Sequence, residues 1–478
     1  MKIITGAEFD SRREILSSRQ DDEDVNAAVR KIIAAVRAEG DAALRRYASQ
    51  FDRGSPENPE VPAAALEAAG EKLLRDDPEL AGALALASDH IRRFSLEQKR
   101  QLAGFEYEMA PGLITGQRVI PVERAAVYAP AGRFPLVSTV LMGLLPAFCA
   151  GVEETLLASP PMEDGLPDRR ILAAAGIARA AMGVACGGEA AAPPDAAPAG
   201  PRLRVFAIGG AQAIAALALG TESVPRCDVI AGPGNRYVAA AKRLLFGEAG
   251  IDFVAGPTDV LIIADGSAVS AGAAADRSVP AADKAADLAA ADMLAQAEHD
   301  PDARARLLVP NRELAEKTLA ALERRLAGLS TAAIARASLD AGALAVVYKD
   351  RDEAIRIANR IAPEHLELQV KDAEEWIPRL KNYGSLFIGA LSAEALGDYS
   401  AGINHTLPTS GSARFTGGLS VRHFLKTATT LRCAPGAGLE EARRAAEIIA
   451  RAEGLAGHAE SAALRAGAAH GTGSGQGL

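Results

Sequence analysis

An α/β fold in two lobes, each built on a parallel sheet covered by helices, is what this sequence predicts. Three observations lead to it. Short apolar runs alternate with Ala-rich helical runs from about residue 128 to residue 255. The same alternation resumes after 255 and continues into the last quarter of the chain. Two Gly-rich turns, IGGAQAIAAL from Ile208 and IAGPGNRYVAAAKR from Ile230, each join an apolar run to a helical one. Strands that alternate with helices form a parallel sheet whose faces the helices cover.

Taken in order, residues 22–50 read as an amphipathic helix and its continuation, with Val25, Val29, Ile32, Ile33 and Val36 at helical spacing and Gly40 placed to end the helix. A second helical stretch covers 62–103, and 114–128 reads as extended, carrying Ile114, Val119, Val122 and Val127. Glu154–Ala158, Leu203–Ile208 and Asp228–Ala231 are strand candidates, with Ala211–Leu219 and Tyr237–Leu245 as helices. Further on, Val260–Ala264, Arg306–Val309, Leu344–Tyr348 and Leu386–Ile388 are short apolar strands, separated by helices at 284–298, 311–327, 352–361 and 372–381. Residues 187–202 and 266–283 lack apolar periodicity and are rich in Ala, Gly, Pro and Asp, so they read as solvated insertions. The Gly-rich tail after about 465, with His470, reads as disordered.

Composition narrows the function classes. At 478 residues the chain is long enough for about two to four domains. Hydrophobic residues make up 49% and charged residues 24%, as in a soluble globular protein, while only 4% are aromatic, so Ala, Val, Ile and Leu must build the core. A formal net charge of -9 argues against nucleic acid as a bulk partner. No apolar run is long and uninterrupted enough to span a bilayer. MKIITGAEFDSRRE has no apolar secretory segment, so a cytoplasmic location is expected. Cys149, Cys186, Cys227 and Cys433 form no CxxC pair, so they are expected to be buried free thiols rather than a disulfide framework or a zinc site.

Seven histidines carry most of the remaining chemical signal. His299, in DMLAQAEHD, follows Gln296 by three residues, a spacing that brings an amide oxygen and an imidazole to one helix face. The alternative is a solvated His at a helix end. His365 lies in IAPEHLEL, where Pro363 stops a helix and Glu364–His365 can place a carboxylate and an imidazole in one pocket, or form a plain structural turn. The stretch GDYSAGINHTLPTSGSARFTGGLSV, residues 397–421, is a long polar loop of the kind that usually binds something, and it holds Asp398 and His405. His458 follows Glu453 by five residues near a helix end. His423 reads as structural or exposed and His90 as exposed. The two Gly-rich turns present backbone N–H groups as an anion site would, or simply allow tight strand–helix packing.

YAPAGRFPLVSTVLM, IGGAQAIAALALGTESVP, AGPGNRYVAAAKR, IDFVAGPTDVLIIAD, AQAEHDP, IAPEHLEL, GDYSAGINHTLPTSGSARF and EGLAGH follow one another in this order. Together, over roughly residues 10–465, they resemble the histidinol dehydrogenase family. The resemblance implies two lobes with incomplete Rossmann-like parallel sheets, plus small N-terminal and C-terminal helical dimerisation segments. It divides the chain into an N-terminal arm (1–21), a discontinuous catalytic and zinc lobe (22–127 and 256–419), a NAD-binding lobe (128–255), a C-terminal dimerisation segment (420–465) and a tail (466–478).

The implied activity is zinc-dependent, NAD-linked oxidation of L-histidinol to L-histidine through L-histidinal, losing four electrons in two hydride transfers. One Zn²⁺ per subunit would be held by Gln296, His299, Asp398 and His458, a mixed N/O set suited to a borderline ion. Thr258, Gln296, His299, His365, Asp398, His405, Glu453 and His458 match the substrate positions. Glu364 and His365 match the catalytic pair, with His365 as base and Glu364 helping to activate water. Tyr128, Gln212 and Asn235 match NAD-contacting positions. The family's homodimer implies that Glu453 and His458 are supplied in trans. Ala131 stands where the family commonly has Gly, Thr258–Asp259 where Ser–Glu is commoner, and Gly457 where Ala is commoner. The competing reading is a related zinc/NAD dehydrogenase of another small polar alcohol, such as a sulfonated propanediol, although Glu453 would repel an anionic substrate. A non-catalytic zinc-binding dimer would require damage to the pair or the ligands, and none is visible.

Overall fold

The computed structural model describes residues 1–11, 23–131, 135–186, 201–268 and 280–466. From the N-terminus, strand β1 (Lys2–Thr5) precedes a run of helices. A hairpin follows, of β2 (Phe105–Ala110) and β3 (Leu113–Pro121). Next come β4 (Arg124–Tyr128), β5 (Glu154–Ser159), β6 (Ala185–Cys186), β7 (Arg202–Ala207), β8 (Val229–Ala231) and β9 (Gly250–Ile251). Then come β10 (Asp259–Ala264), β11 (Arg304–Val309), β12 (Leu344–Val347), β13 (His365–Gln369), β14 (Ser385–Ile388) and β15 (Leu425–Cys433). They form three sheets, in the orders β1-β12-β11-β10-β13-β14, β6-β7-β5-β4-β8-β9 and β15-β3-β2.

Contacts divide the chain into two units, Met1–Glu97 with Val122–Phe424, and Gln98–Pro121 with Leu425–Leu478. The first unit contains both six-stranded sheets, in which every pairing is parallel. Parallel sheets are covered on both faces, and the strands show it: all residues of β5, β10 and β13 are buried. The helix Val137–Ala150 is apolar on every side and buried from Thr139 onward. Its Gly143 is required, because a Cβ there would come within 2.3 Å of Val127 Cγ1. Asp168, Asn235, Asn311 and Asp350 cap the helices that follow them with their side chains.

The helix Glu23–Glu39 buries Val25, Val29, Ile32 and Val36. These side chains share a core with Ala126, Leu156 and Phe206 of the β4–β9 sheet. Leu66, Leu73, Leu84 and Ile91, from the helices that follow, join a second core with Val127 and Leu157 on the sheet's other face. Residues 23–97 thus clothe the sheet of residues 124–251, although the resemblance groups 22–127 with 256–419. The helix Ala281–Ala297 and its neighbours cover the β1/β10–β14 sheet.

The second unit holds the antiparallel β15-β3-β2 sheet and the helices Ala437–Ala452 and Ala456–Ala463. Where the sequence predicts a helix at 372–381, the chain makes two 3-10 turns, Ala373–Glu375 and Ile377–Arg379, with Pro378 at the join limiting helix growth. The 187–202 and 266–283 stretches lie mostly outside the described residues, as does the tail with His470. Cys149 and Cys227 are buried and in no disulfide, but Cys433 is exposed at the end of an edge strand.

Candidate active site

Strands β10 and β13 lie side by side, with Val260 paired to His365. This register brings the residues before β10 next to those that open β13. Glu364 ends the turn after the helix Arg351–Ile361, and His365 is the first residue of a buried strand rather than part of an exposed turn. Thr258 Oγ1 donates to Glu364 Oε2. Asp259 N donates to the same oxygen at 3.1 Å, and Glu364 N returns a 3.1 Å bond to Asp259 Oδ1. Arg306 of β11 holds the other Asp259 oxygen at 2.9 Å, so the carboxylate that fixes the turn is itself paired. Glu364 is 5% exposed, and burial pushes its carboxyl up to about 7 against the pull of His365 and the Thr258 bond.

Gln296 sits in the last turn of the helix Ala281–Ala297, fully buried. Its Nε2 donates to Thr258 Oγ1 at 2.8 Å, which turns Oε1 away with no hydrogen-bond partner. An unpaired buried amide oxygen is costly unless something else satisfies it. His299 follows just beyond the helix end, in an exposed turn, so it does not share a continuous helical face with Gln296. Asp398 lies on the short helix Glu394–Tyr399, with Oδ1 turned toward the His365 ring. Ligand atoms of His299, Glu394 and Asp398 all fall within 4.8 Å of one another.

The sequence reading missed Glu394. It is four residues before Asp398 and so on the same helix face, a signal that was available in EALGD. Glu394 Oε1 stands 3.4 Å from His365 Nδ1, and Asp398 Oδ1 stands 3.5 Å from His365 Nε2. Burial pushes the His365 imidazole down, but Glu394, Glu364 and Asp398 outweigh it and hold its pKa well above the ordinary histidine value. Burial carries Glu394 up to about 8. Burial also opposes ionisation of Asp398, yet the bond to His365 and the charges of His365, His405 and His299 bring its pKa below the usual carboxylate range. His405, in the polar loop, lies 3.1 Å from Ser138 Oγ through Nε2, and burial lowers its pKa. His90 is half-buried, with Nδ1 2.7 Å from Ser400 O, so it anchors that loop instead of facing solvent.

The bare Gln296 Oε1 and the His299–Glu394–Asp398 cluster offer the amide oxygen, imidazole nitrogen and carboxylate oxygens that a divalent borderline ion takes, and these residues fit such an ion. Glu453 and His458 belong to the second unit, at the end of one exposed helix and within the next, and both are exposed.

The three expected NAD positions cluster at the carboxyl ends of the β4–β9 sheet, where such folds bind nucleotides. Tyr128 ends β4, 3% exposed, and its hydroxyl accepts from Gly210 N at 3.0 Å. Gln212 lies in the first turn of the helix Gly210–Leu219 after β7, 2% exposed, and donates to Asp52 Oδ2 at 3.2 Å. Asn235 caps the helix Arg236–Leu245 by accepting from Tyr237 N and Val238 N. Gly232 has φ 114, and a Cβ there would sit 2.2 Å from Tyr128 O. Pro233, Gly234 and Asn235 beyond it are partly open to solvent. This close turn, with glycine at 232 and 234 before a helix N-terminus, fits a dinucleotide pyrophosphate.

A family model described as histidinol dehydrogenase matches residues 16–193 and 202–466. The chain belongs to the histidinol dehydrogenase family. The break in the match falls inside the Ala- and Pro-rich stretch 187–202, while the match runs through 266–283. The chain is 46% identical to the histidinol dehydrogenase of Thermus thermophilus over 445 residues, covering 93% of this chain and 95% of that one. It is 41% identical to that of Methylococcus capsulatus over 470 residues, covering 97% and 98%. The crystal structure of histidinol dehydrogenase from Elizabethkingia anophelis superposes with a TM-score of 0.82 at 30% identity, covering 97% of each chain. The α/β fold and the assignment as an oxidoreductase of this family therefore stand. Among the described residues, no helix is long and apolar enough to cross a membrane.

Proposed function

We propose that this chain is a cytoplasmic, zinc-dependent, NAD-linked histidinol dehydrogenase acting in histidine biosynthesis, oxidising L-histidinol through L-histidinal to L-histidine. The observation that carries the reading is the cluster of His299, Glu394 and Asp398, whose ligand atoms lie within 4.8 Å of one another beside His365, with the buried Gln296, its Oε1 without a partner, tied through Thr258 to Glu364. Gln296, His299 and Asp398 would hold the zinc, with His458 of the partner subunit as the fourth ligand. When bound, zinc supplies a Lewis-acidic anchor for the substrate's nitrogens and NAD supplies the hydride acceptor.

The chain's own groups do the proton chemistry. With Asp398 committed to a cation, its pull on the His365 proton is offset, and the imidazole is freed to accept one. His365 takes the hydroxyl proton as the alcohol becomes the aldehyde, and acts again as the hydrated aldehyde is oxidised. Glu364, held by Thr258 and Asp259 N, takes a proton from the water that adds to the aldehyde. Glu394, facing the opposite ring nitrogen, fixes the imidazole's orientation. His405 and the partner's Glu453 would enclose the substrate's polar end, the carboxylate pairing with its ammonium. Tyr128, Gln212 and Asn235 would shape the NAD turns.

A homodimer fits the second unit. Phe105, Tyr107 and Met109 on β2 are each more than half exposed, at 57%, 61% and 59%, and Leu431, Ile448 and Ile449 are comparably open at 66%, 58% and 58%. Large apolar side chains left open in this number call for a partner surface. The purified enzyme with zinc, NAD and L-histidinol should yield two NADH per histidinol consumed and little with a sulfonated propanediol. One NADH per substrate, or a preference for the diol, would overturn the assignment.

A further inference from the structure

One fully buried ion pair has no part in the chemistry above. Lys242 lies two turns into the helix Arg236–Leu245 and is 1% exposed, and Asp252 follows β9 and is 8% exposed. Lys242 Nζ bonds to Asp252 Oδ1 and donates to Gly232 O at 2.9 Å. Asp252 Oδ2 accepts from Gly232 N at 2.8 Å, and Oδ1 accepts from Phe253 N at 2.7 Å. The pair therefore grips both peptide groups flanking the Gly232 Cα, from the protein interior. That is the residue with φ 114 pressed against Tyr128 O. A buried pair of this kind is weak evidence for stability, since apolar residues often serve as well. What apolar residues cannot do is hold a peptide N–H and C=O in one orientation.

We infer that Lys242 and Asp252 are positioning residues for the cofactor, a strut that presets the backbone of Pro233–Asn235 for a dinucleotide pyrophosphate. The inference rests on the reading of this turn as the NAD site. The strut's partners lie on two different elements, the helix after the turn and the strand end beyond it, so the turn is braced from both sides.

The test is the double variant Lys242→Met/Asp252→Leu in zinc-loaded enzyme, which leaves no lone buried charge. Its melting temperature and zinc content establish folding. The expected result is a KM for NAD raised on the order of 10-fold or more, with kcat and the KM for the alcohol changed far less. An unchanged KM for NAD in the folded double variant overturns the proposal, as does an equal loss in every parameter. Direct NAD titration separates the two layers. A wild-type enzyme that binds no NAD sinks the cofactor reading and the strut with it, whereas normal binding by both proteins sinks the strut alone. Should the double variant not fold, hydrogen exchange in the wild type decides: the Gly232 amide should exchange only with global opening, and fast exchange in the cofactor-free enzyme contradicts a braced turn.

Discussion

Gln296 illustrates how one bond can leave an oxygen available. Its amide nitrogen is committed to Thr258 Oγ1, so its buried oxygen is left without a partner, neutral and fixed. His365 is prepared in the opposite way, with two carboxylates facing its two ring nitrogens. His365→Asn should lower kcat by about 10²–10⁴-fold while zinc stoichiometry stays near one per chain; kinetics with metal analysis check it, and a near-normal kcat would mean another group is the base. Glu364 carries a pH signature. Its folded value, about 7, lies above its ordinary 4.5, so it binds its proton more tightly when folded. Its contribution to stability is thus full below about pH 4.5 and disappears as pH rises through 7. In metal-free protein, Glu364→Gln should gain on the wild type by up to a few kcal/mol between pH 5 and pH 8, at about 1.4 kcal/mol per unit. A melting-temperature difference that does not change with pH would contradict this. The same substitution should slow aldehyde oxidation more than alcohol oxidation, read as accumulation of histidinal. At this scale the sequence carried Glu364, His365, Gln296, His299 and Asp398 through the family resemblance. Spacing alone pointed only to loose pairs, because these residues come from separate elements. Glu394 escaped notice, although its spacing from Asp398 placed both carboxylates together.

Elements differ in how plainly they are written. Strand β10 runs apolar from Val260 to Ala264 and β5 from Leu156 to Ala158, and both were readable, because both of their faces are covered. Strand β13 was not: HLELQ buries His365, Glu367 and Gln369, and a strand with inward polar residues loses the apolar signal. Glu367 survives burial by sharing hydrogen bonds with Gln369 and Glu394 N, and burial with the charges of Asp292 and Glu394 holds its pKa well above the carboxylate norm. The helix Glu23–Glu39 was legible in its period but not in its destination, since periodicity says which face is buried and not which sheet receives it. Asn235, expected as a cofactor contact, also caps a helix with two bonds. Asn235→Ala should cost about 1 kcal/mol and raise the KM for NAD. Thermal melts and NAD saturation curves check the two effects, and a lower melting temperature with unchanged NAD kinetics would leave Asn235 only its capping role.

For the whole molecule, assembly decides whether one chain holds a complete site. Glu453 and His458 sit on exposed helices of the second unit, alongside apolar side chains that call for a partner. If they serve another protomer, mixing inactive His365→Asn and His458→Asn subunits should restore activity, approaching one intact site per heterodimer. Confirmed heterodimers without activity would place the site within a single chain. The sequence showed residues 114–128 as extended but not the sheet they enter, because β15 joins β3 from a segment about three hundred residues away and no local pattern links the two.

The most direct test of the account is a zinc titration of metal-stripped protein, followed by calorimetry, in the wild type and in Gln296→Ala and Asp398→Asn. One zinc per chain should bind the wild type and restore turnover, and each variant should bind about 10–100-fold more weakly. Full activity without metal, or wild-type affinity in both variants, would show that the bare oxygen of Gln296 and the carboxylate of Asp398 do not serve an ion.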